Sequence, residues 1–468
     1  MRKKWFIPVT VCVTVVAVSV GYSFLGKKQA AIFLDQDGKK FYDLSEGKKE
    51  QISDDYASSA FDETVKILQS EKGYTKEEAE RFLYKKDIVV ETTRDPKLQA
   101  QLEEAWEQEK TFTRSKSPTA NEAAMVIMDY EGQIKALKGN RDQDNAAKNY
   151  ATDELIQIGS TIKPLSVYAL AMEEKVIHYS SLVEDKPSVL QGMGGARLWP
   201  TNADGEYAGK ILLENAIEVS KNTVPVQLVQ TLGEEKICAF LREKLAFTTL
   251  VEEEDKENDL QPSALALGYL SKGTTLSHLT SCYRIFGGDG SYYKQTTILR
   301  VKEEDGTIIY ENKNKGNQVI SSETSSIMNQ LLSSVVNGER GTARNAAIKG
   351  TQVIGKTGTI AEDQNVSSRL FVGATPEYIA GVWLGKSEKQ TEFDQRTYIT
   401  AVDVWKTVMD TVTLEKNSFE LSGDIVTRDY CEQTGLLAGD ACTSIKQGVY
   451  HKEDSLDFCS TCAKKKRK

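Results

Sequence analysis

Ser160 and Lys163 stand three residues apart in the run Gly159-Ser160-Thr161-Ile162-Lys163-Pro164. A serine hydroxyl is a poor nucleophile until a base takes its proton. If a helix begins at this run, residues three apart share a face, so the lysine amine can reach the hydroxyl. A lysine serves as that base once burial or a neighbouring cation lowers its pKa. The chemistry would be attack on a carbonyl through a covalent acyl-serine. The bland alternative is an N-capping serine with a surface lysine one turn on. The chain has three histidines, His178, His278 and His451. None falls in a recognisable triad signature, and a Ser-Lys pair needs no histidine.

Two further polar motifs follow. Ser220-Lys221-Asn222 lies within a helical pattern, where the bland reading is a polar helix face or turn. Gly355-Lys356-Thr357-Gly358-Thr359 sits in a strand-like segment that Val353-Ile354 leads into. Its bland reading is an edge strand with a bulge at Gly358. Each motif is weak alone. Their order, Ser-x-x-Lys, then Ser-x-Asn, then Lys-Thr-Gly, is what the sequence resembles in the penicillin-binding protein and serine β-lactamase superfamily. The resemblance extends to Thr93-Arg94-Asp95-Pro96-Lys97-Leu98-Gln99, which looks like the lead-in to a class A transpeptidase domain. Leu265-Ala266-Leu267-Gly268, Lys272-Gly273-Thr274-Thr275, Gly341-Thr342-Ala343, Phe371-Val372-Gly373 and Val382-Trp383-Leu384-Gly385 are similar to other segments of that family, from about residue 74 to about 462.

The resemblance implies an α+β fold, an antiparallel sheet flanked by helices. It implies a D,D-transpeptidase that cross-links peptidoglycan stem peptides and is acylated by β-lactams. Ser160 would be the nucleophile and Lys163 its base. Ser220 would relay a proton to the leaving amine, and Asn222 would hold Lys163 and the substrate amide. Lys356 would supply positive charge near the substrate carboxylate, with Thr357 and Thr359 hydrogen-bonding it across Gly358. The N–H groups of Ser160 and Thr359 would form the oxyanion hole. Two rivals remain. In one, water is the acceptor, giving a D,D-carboxypeptidase or β-lactamase. In the other, the fold is kept as a non-catalytic sensor or scaffold; the intact motifs speak against that.

Two features depart from the family pattern. Class A members carry a glycosyltransferase domain between anchor and transpeptidase. Residues 28–118 are too few for a second catalytic domain of usual size and contain no Glu-Asp-x-x-Phe motif. Glycan elongation is therefore expected from a separate glycosyltransferase partner. Ser368-Arg369-Leu370 stands where the family more often has an acidic residue and a Trp.

The elements that must position these groups follow from periodicity. Ala123 to Met128 and Gln133 to Leu137 read as a hairpin across Glu131-Gly132. Val353 to Thr359 and Leu370 to Leu384 are strand-like, and the four segments are expected in one sheet. Helical patterns cover 161–174, 210–232, 235–243 and 323–337. In the preceding region Thr75 caps a helix to about Lys85, Ile88 to Thr92 is a strand, and Asp95-Pro96 starts a helix through about Lys110. Gly192-Met193-Gly194-Gly195 lacks the context of a phosphate loop and reads as a turn.

Trp5 to Leu25 is uncharged and dominated by apolar residues, flanked by Arg2-Lys3-Lys4 and Lys27-Lys28. That length suits a transmembrane helix, with a cleaved signal peptide as the rival. The basic N-terminus places the remainder outside the membrane. The expected division is 1–27 tip and anchor, 28–118 a polar linker and helical region, 119–415 the transpeptidase domain and 416–468 a cysteine-containing segment with a basic tail. A net charge of −9 argues against nucleic acid as partner. Cys238 and Cys282 fall in apolar patterns and read as inert buried thiols. Cys431, Cys442, Cys459 and Cys462 could form two disulfides, which the extracellular compartment favours, or one structural Cys₄ zinc site. No nucleotide, haem or flavin motif is visible, and the expected chemistry needs no catalytic metal or cofactor.

Overall fold

The computed structural model describes residues 30–47, 52–112, 122–141, 148–192, 195–252, 257–362, 365–385 and 399–464. The expected anchor, Trp5 to Leu25, lies outside them. No helix among the described residues is long and apolar enough to cross a membrane.

A five-stranded antiparallel sheet organises the chain. Its order is Ile354–Glu362, Asn365–Ala374, Ile379–Gly385, Glu122–Met128, Ile134–Lys138. Val126 faces Leu137 across the expected hairpin, and Gly381 faces Val126 across the join between the two halves. The two middle strands, Glu122–Met128 and Ile379–Gly385, are buried along their whole length. That is the pattern of strands covered on both faces, which cannot alternate apolar with polar. The segment from Leu370 to Leu384 is two strands rather than one. Thr375 turns the chain there: its hydroxyl accepts the N–H groups of Glu377 and Tyr378. A continuous apolar run does not reveal such a reversal.

Helices cover both faces. A Cβ on Gly381 would lie 2.1 Å from Thr280 Oγ1, on the helix Leu276–Cys282. A Cβ on Gly373 would meet Trp405, on the helix Ala401–Met409, at 2.8 Å. Trp405 also donates Nε1–H to the Ala380 carbonyl. Glycine at these two positions lets the helices approach the backbone, which holds the sheet in a dry slab.

The segment before the sheet contains the expected helix Lys76–Lys85, with a Thr75–Glu78 capping box, and the strand Ile88–Thr92. The helix begun by Pro96 ends at Glu107, short of the expected Lys110. A second sheet joins Ile308–Glu311, Ile298–Glu303, Ile88–Thr92, Ile32–Leu34 and Lys40–Asp43. Strands from residues 32–92 thus pair with strands from residues 298–311. Buried Thr93 donates its hydroxyl to the Ile134 carbonyl, tying this sheet to the last strand of the first.

Candidate active site

The Ser160 run does not open a plain α-helix. Gly159–Ile162 is a tight 3₁₀ turn, Pro164–Tyr168 is a wider π-type turn, and only Ala169–Glu173 is α-helical. Such changes of winding are concentrated at functional sites. Gly159 has φ +53°, a left-handed conformation open to glycine at little cost. Gly268 backs it so closely that an added Cβ would lie 2.2 Å from the Gly159 carbonyl oxygen. The half-buried Ser160 is thereby presented at the rim of a groove.

Lys163 is fully buried behind it. Its Nζ donates to Asn222 Oδ1 at 2.6 Å, to the Lys221 carbonyl at 2.9 Å and to the Ser220 carbonyl at 3.0 Å, with Ser220 Oγ at 3.4 Å. No hydrogen bond joins it to Ser160 Oγ. The shared-face argument thus brings the two residues to one site, while the amine points along the groove floor to the second motif.

That second motif is not a helical face. The pattern over 210–232 is broken into the strand Gly209–Leu212 and helices Leu213–Glu218 and Thr223–Leu232. Ser220 lies between the helices at φ +58°, a conformation a serine adopts rarely. The cost of such a residue is of order 1–3 kcal/mol, which the surrounding packing must outweigh. Here the kink turns the hydroxyl inward. Lys356, also fully buried, donates Nζ–H to Ser220 Oγ at 2.7 Å and to the Thr357 carbonyl at 3.1 Å. One hydroxyl oxygen therefore lies between two lysine amines.

Among the described residues no carboxylate pairs with either amine. Burial pushes Lys163 well below the usual lysine range, and the charge of Lys356 pushes it further. Burial lowers Lys356 to about 7. Two ammonium ions in one unpaired, dry site are costly, so releasing a proton from one is the favoured response.

The third motif lies on the sheet's edge strand, Ile354–Glu362. Gly358 is there because a Cβ would come within 2.7 Å of the Ile158 carbonyl and 2.9 Å of Thr161 Cγ2. The strand thus runs against the serine turn, with the Thr359 backbone beside Gly159. The register irregularity falls between Ile360 and Ala361, beyond Gly358. Thr357 Oγ1 meets Thr342 Oγ1 at 2.8 Å. Ser160, Ser220, Asn222, Thr342, Thr357 and Thr359 line a cavity of about 640 Å³ together with Trp199 and Tyr269. Arg369 faces Thr359 across the strand pair and lines the same cavity.

A supporting network was not legible in the sequence. Lys221, 3% exposed, pairs with fully buried Asp185 at 2.9 Å and with Asp204 at 2.9 Å. Asp185 also accepts from Asn202 Nδ2 at 2.6 Å, Thr223 Oγ1 at 2.7 Å and the Ala208 N–H at 2.9 Å. Burial alone would raise the Asp185 pKa; these hydrogen bonds outweigh it and hold the carboxyl below its ordinary value. Asn202 Oδ1 accepts the Asn222 N–H, and Asn222 Nδ2 donates to the Thr201 carbonyl. The Ser220–Asn222 bend is pinned from behind. The charged Lys221 between the two motif residues was the available signal, but Asp185 is too far along the chain to be paired with it by spacing.

The three histidines lie elsewhere; His278 is buried between Thr274 and the Leu245 carbonyl. Cys238 and Cys282 are fully buried, with thiol pKa values raised by burial, as inert thiols should be.

A serine on a tight turn, two buried amines of lowered basicity and an adjoining strand edge thus meet at one groove. Residues 123–396 match the penicillin-binding protein transpeptidase domain. The chain belongs to that family. It is 30% identical over 335 residues to penicillin-binding protein 1A of Clostridium acetobutylicum, covering 69% of this chain and 40% of that protein. This chain thus spans less than half of that relative's length. In fold it is similar to penicillin-binding protein 1A from Haemophilus influenzae, with a TM-score of 0.66 at 18% identity, covering 84% of this chain and 76% of the other. It is also similar to PonA1 from Mycobacterium tuberculosis in complex with penicillin V, with a TM-score of 0.61 at 22% identity over 77% and 94% of the two chains.

Proposed function

We propose that the protein is a D,D-transpeptidase that cross-links peptidoglycan stem peptides through an acyl-enzyme on Ser160. The observation that carries this reading is the convergence of the Lys163 and Lys356 amines on Ser220 Oγ, in the groove that Ser160 lines. Ser160 attacks the carbonyl of the penultimate D-Ala while neutral Lys163 accepts its proton through a small shift of the amine toward the rim. The N–H groups of Ser160 and Thr359 receive the developing oxyanion; donors of this kind contribute about 2.7–4 kcal/mol each to such transition states. Ser220 passes a proton to the departing D-Ala amine. Lys356, Thr357 and Thr359 hold the terminal carboxylate, and Asn222 orients the stem-peptide amide. A second stem-peptide amine then attacks the ester and restores Ser160.

The protein is proposed to act outside the cell membrane, tethered by its N-terminal apolar run, beside a separate glycosyltransferase. A penicillin complex is known for the similar PonA1 of Mycobacterium tuberculosis, which supports β-lactams as acylating inhibitors here. The test is mass spectrometry after exposure to a labelled penicillin. The expected adduct maps to the peptide holding Ser160 and is absent from Ser160→Ala; equal labelling of that variant would refute the reading. Product analysis with and without an amine acceptor separates cross-linking from hydrolysis.

A further inference from the structure

The C-terminal segment holds a cluster that the acyl-transfer site does not use. Cys431 ends the strand Ile425–Cys431, and Cys442 lies in the loop leading to its partner strand Ile445–His451. Cys459 and Cys462 follow in the tail, and their x₂ spacing forms a tight knuckle. The four sulfur atoms all lie within 4.8 Å of one another. Two separations are 3.7 Å, Cys431 to Cys462, and 3.6 Å, Cys459 to Cys462.

These distances discriminate. A disulfide needs a separation of about 2.05 Å, and two disulfides would divide four sulfurs into two bonded pairs. No two of these sulfurs lie at bonding distance, so their arrangement is not that of two disulfides. A tetrahedral zinc tetrathiolate has Zn–S bonds of about 2.3 Å, so its sulfur–sulfur edges are about 3.8 Å. The 3.7 and 3.6 Å separations match that edge, and the remaining pairs lie within 4.8 Å.

The need for a staple is also visible. The hairpin is a two-stranded sheet whose strands are mostly exposed or half-exposed. Tyr430, Leu437 and Tyr450 are its large buried apolar side chains. An isolated hairpin of this kind is marginal without a cross-link or a metal. It docks on the elements that lead to the groove. The Tyr450 hydroxyl donates to Ser180 Oγ at 2.8 Å, Ser180 Oγ donates to the Gly435 carbonyl at 2.6 Å, and Lys446 reaches Glu214 at 3.7 Å. Glu214 is on the helix that ends just before Ser220.

We propose that Cys431, Cys442, Cys459 and Cys462 bind one structural zinc ion, which locks the C-terminal hairpin together and holds it against the helix preceding Ser220. On binding, the four thiols release four protons and become thiolate ligands; no electron is transferred. The fully sulfur-ligated tetrahedron leaves no open position, so the ion takes no part in acyl transfer.

The test is metal analysis of the full chain purified in detergent without chelator, together with intact mass under denaturing, non-reducing conditions. The expected result is about one zinc per chain, released on titration with a mercurial thiol reagent and lost in Cys459→Ser/Cys462→Ser. Cobalt(II) in its place should show the visible bands of a tetrahedral tetrathiolate. A zinc-free chain about 4 Da lighter than its fully reduced form would mean two disulfides and overturn the proposal. So would four free thiols that retain no added zinc, or a double variant that keeps its zinc. Should the variant fail to fold, the mercurial titration of the unaltered chain decides. Zinc content does not depend on Ser160, so this outcome and that of penicillin labelling stand apart.

Discussion

Lys221 provides a direct test of how the Ser220–Asn222 bend is held, because one buried cation has two carboxylate partners in different surroundings. Asp185 is fully buried, whereas the Asp204 side chain is 34% exposed, and both lie 2.9 Å from Lys221 Nζ. Removing one member of a buried pair typically costs 3–5 kcal/mol, since it leaves an uncompensated charge in a dry site. In Asp185→Ala, Asp204 and the Glu206 carbonyl still hold the amine, which puts the loss near the low end, about 3 kcal/mol. Asp204→Ala removes a partly hydrated partner and should cost about 1 kcal/mol or less. For Asp185→Ala the midpoint of thermal unfolding should fall by about 5 °C. Asp185 holds Asn202, which in turn accepts the Asn222 N–H. If half of the 3 kcal/mol is expressed at this bend, penicillin acylation slows about tenfold. Thermal scans and stopped-flow acylation with a fluorescent penicillin measure the two effects. Equal stability and equal acylation rates for the two alanine variants would refute the reasoning, because burial would then not distinguish the carboxylates.

Three other outcomes follow from the site. The second-order rate constant of acylation should be bell-shaped in pH: it rises as the depressed Lys163 becomes neutral and falls as Lys356, lowered to about 7, loses its charge. The two limbs belong to the coupled pair of amines, and a rate that kept rising far above pH 7 would contradict the assigned charge on Lys356. The same Lys356 shift has a stability sign: between about 7 and the ordinary lysine value the unfolded chain holds a proton that the folded chain has released, so stability should rise with pH across that window, measurable by urea titration. Gly268→Ala sets a Cβ 2.2 Å from the Gly159 carbonyl at φ +77°. It should slow acylation at least about tenfold with a stability loss of about 1–3 kcal/mol, read by the same acylation assay and urea titration; an unchanged rate would show that Gly268 does not position the serine turn.

Much of this molecule can be read from local pattern. The hairpin of Glu122–Met128 and Ile134–Lys138, the Thr75 cap and the three polar motifs are each set by residues within a few positions of one another. The order of the three motifs along the chain, rather than any one of them, singles out Ser160, Lys163 and Lys356 as candidates. Local pattern misleads where one apolar run holds two strands, as between Leu370 and Leu384, and where a helical period continues through a kink, as at Ser220. Tertiary structure alone decides that the Lys163 amine turns to Asn222, that Ser220 Oγ meets two amines 57 and 136 positions away, and that Asp185 reaches Lys221. It also decides that four cysteines spread over residues 431–462 converge on one point. The physical reason is common to all of these. Residue type determines which contacts are worth making, while burial and backbone strain depend on packing between segments distant in the chain, so partners and protonation states emerge only when the sheet and its helices close around them.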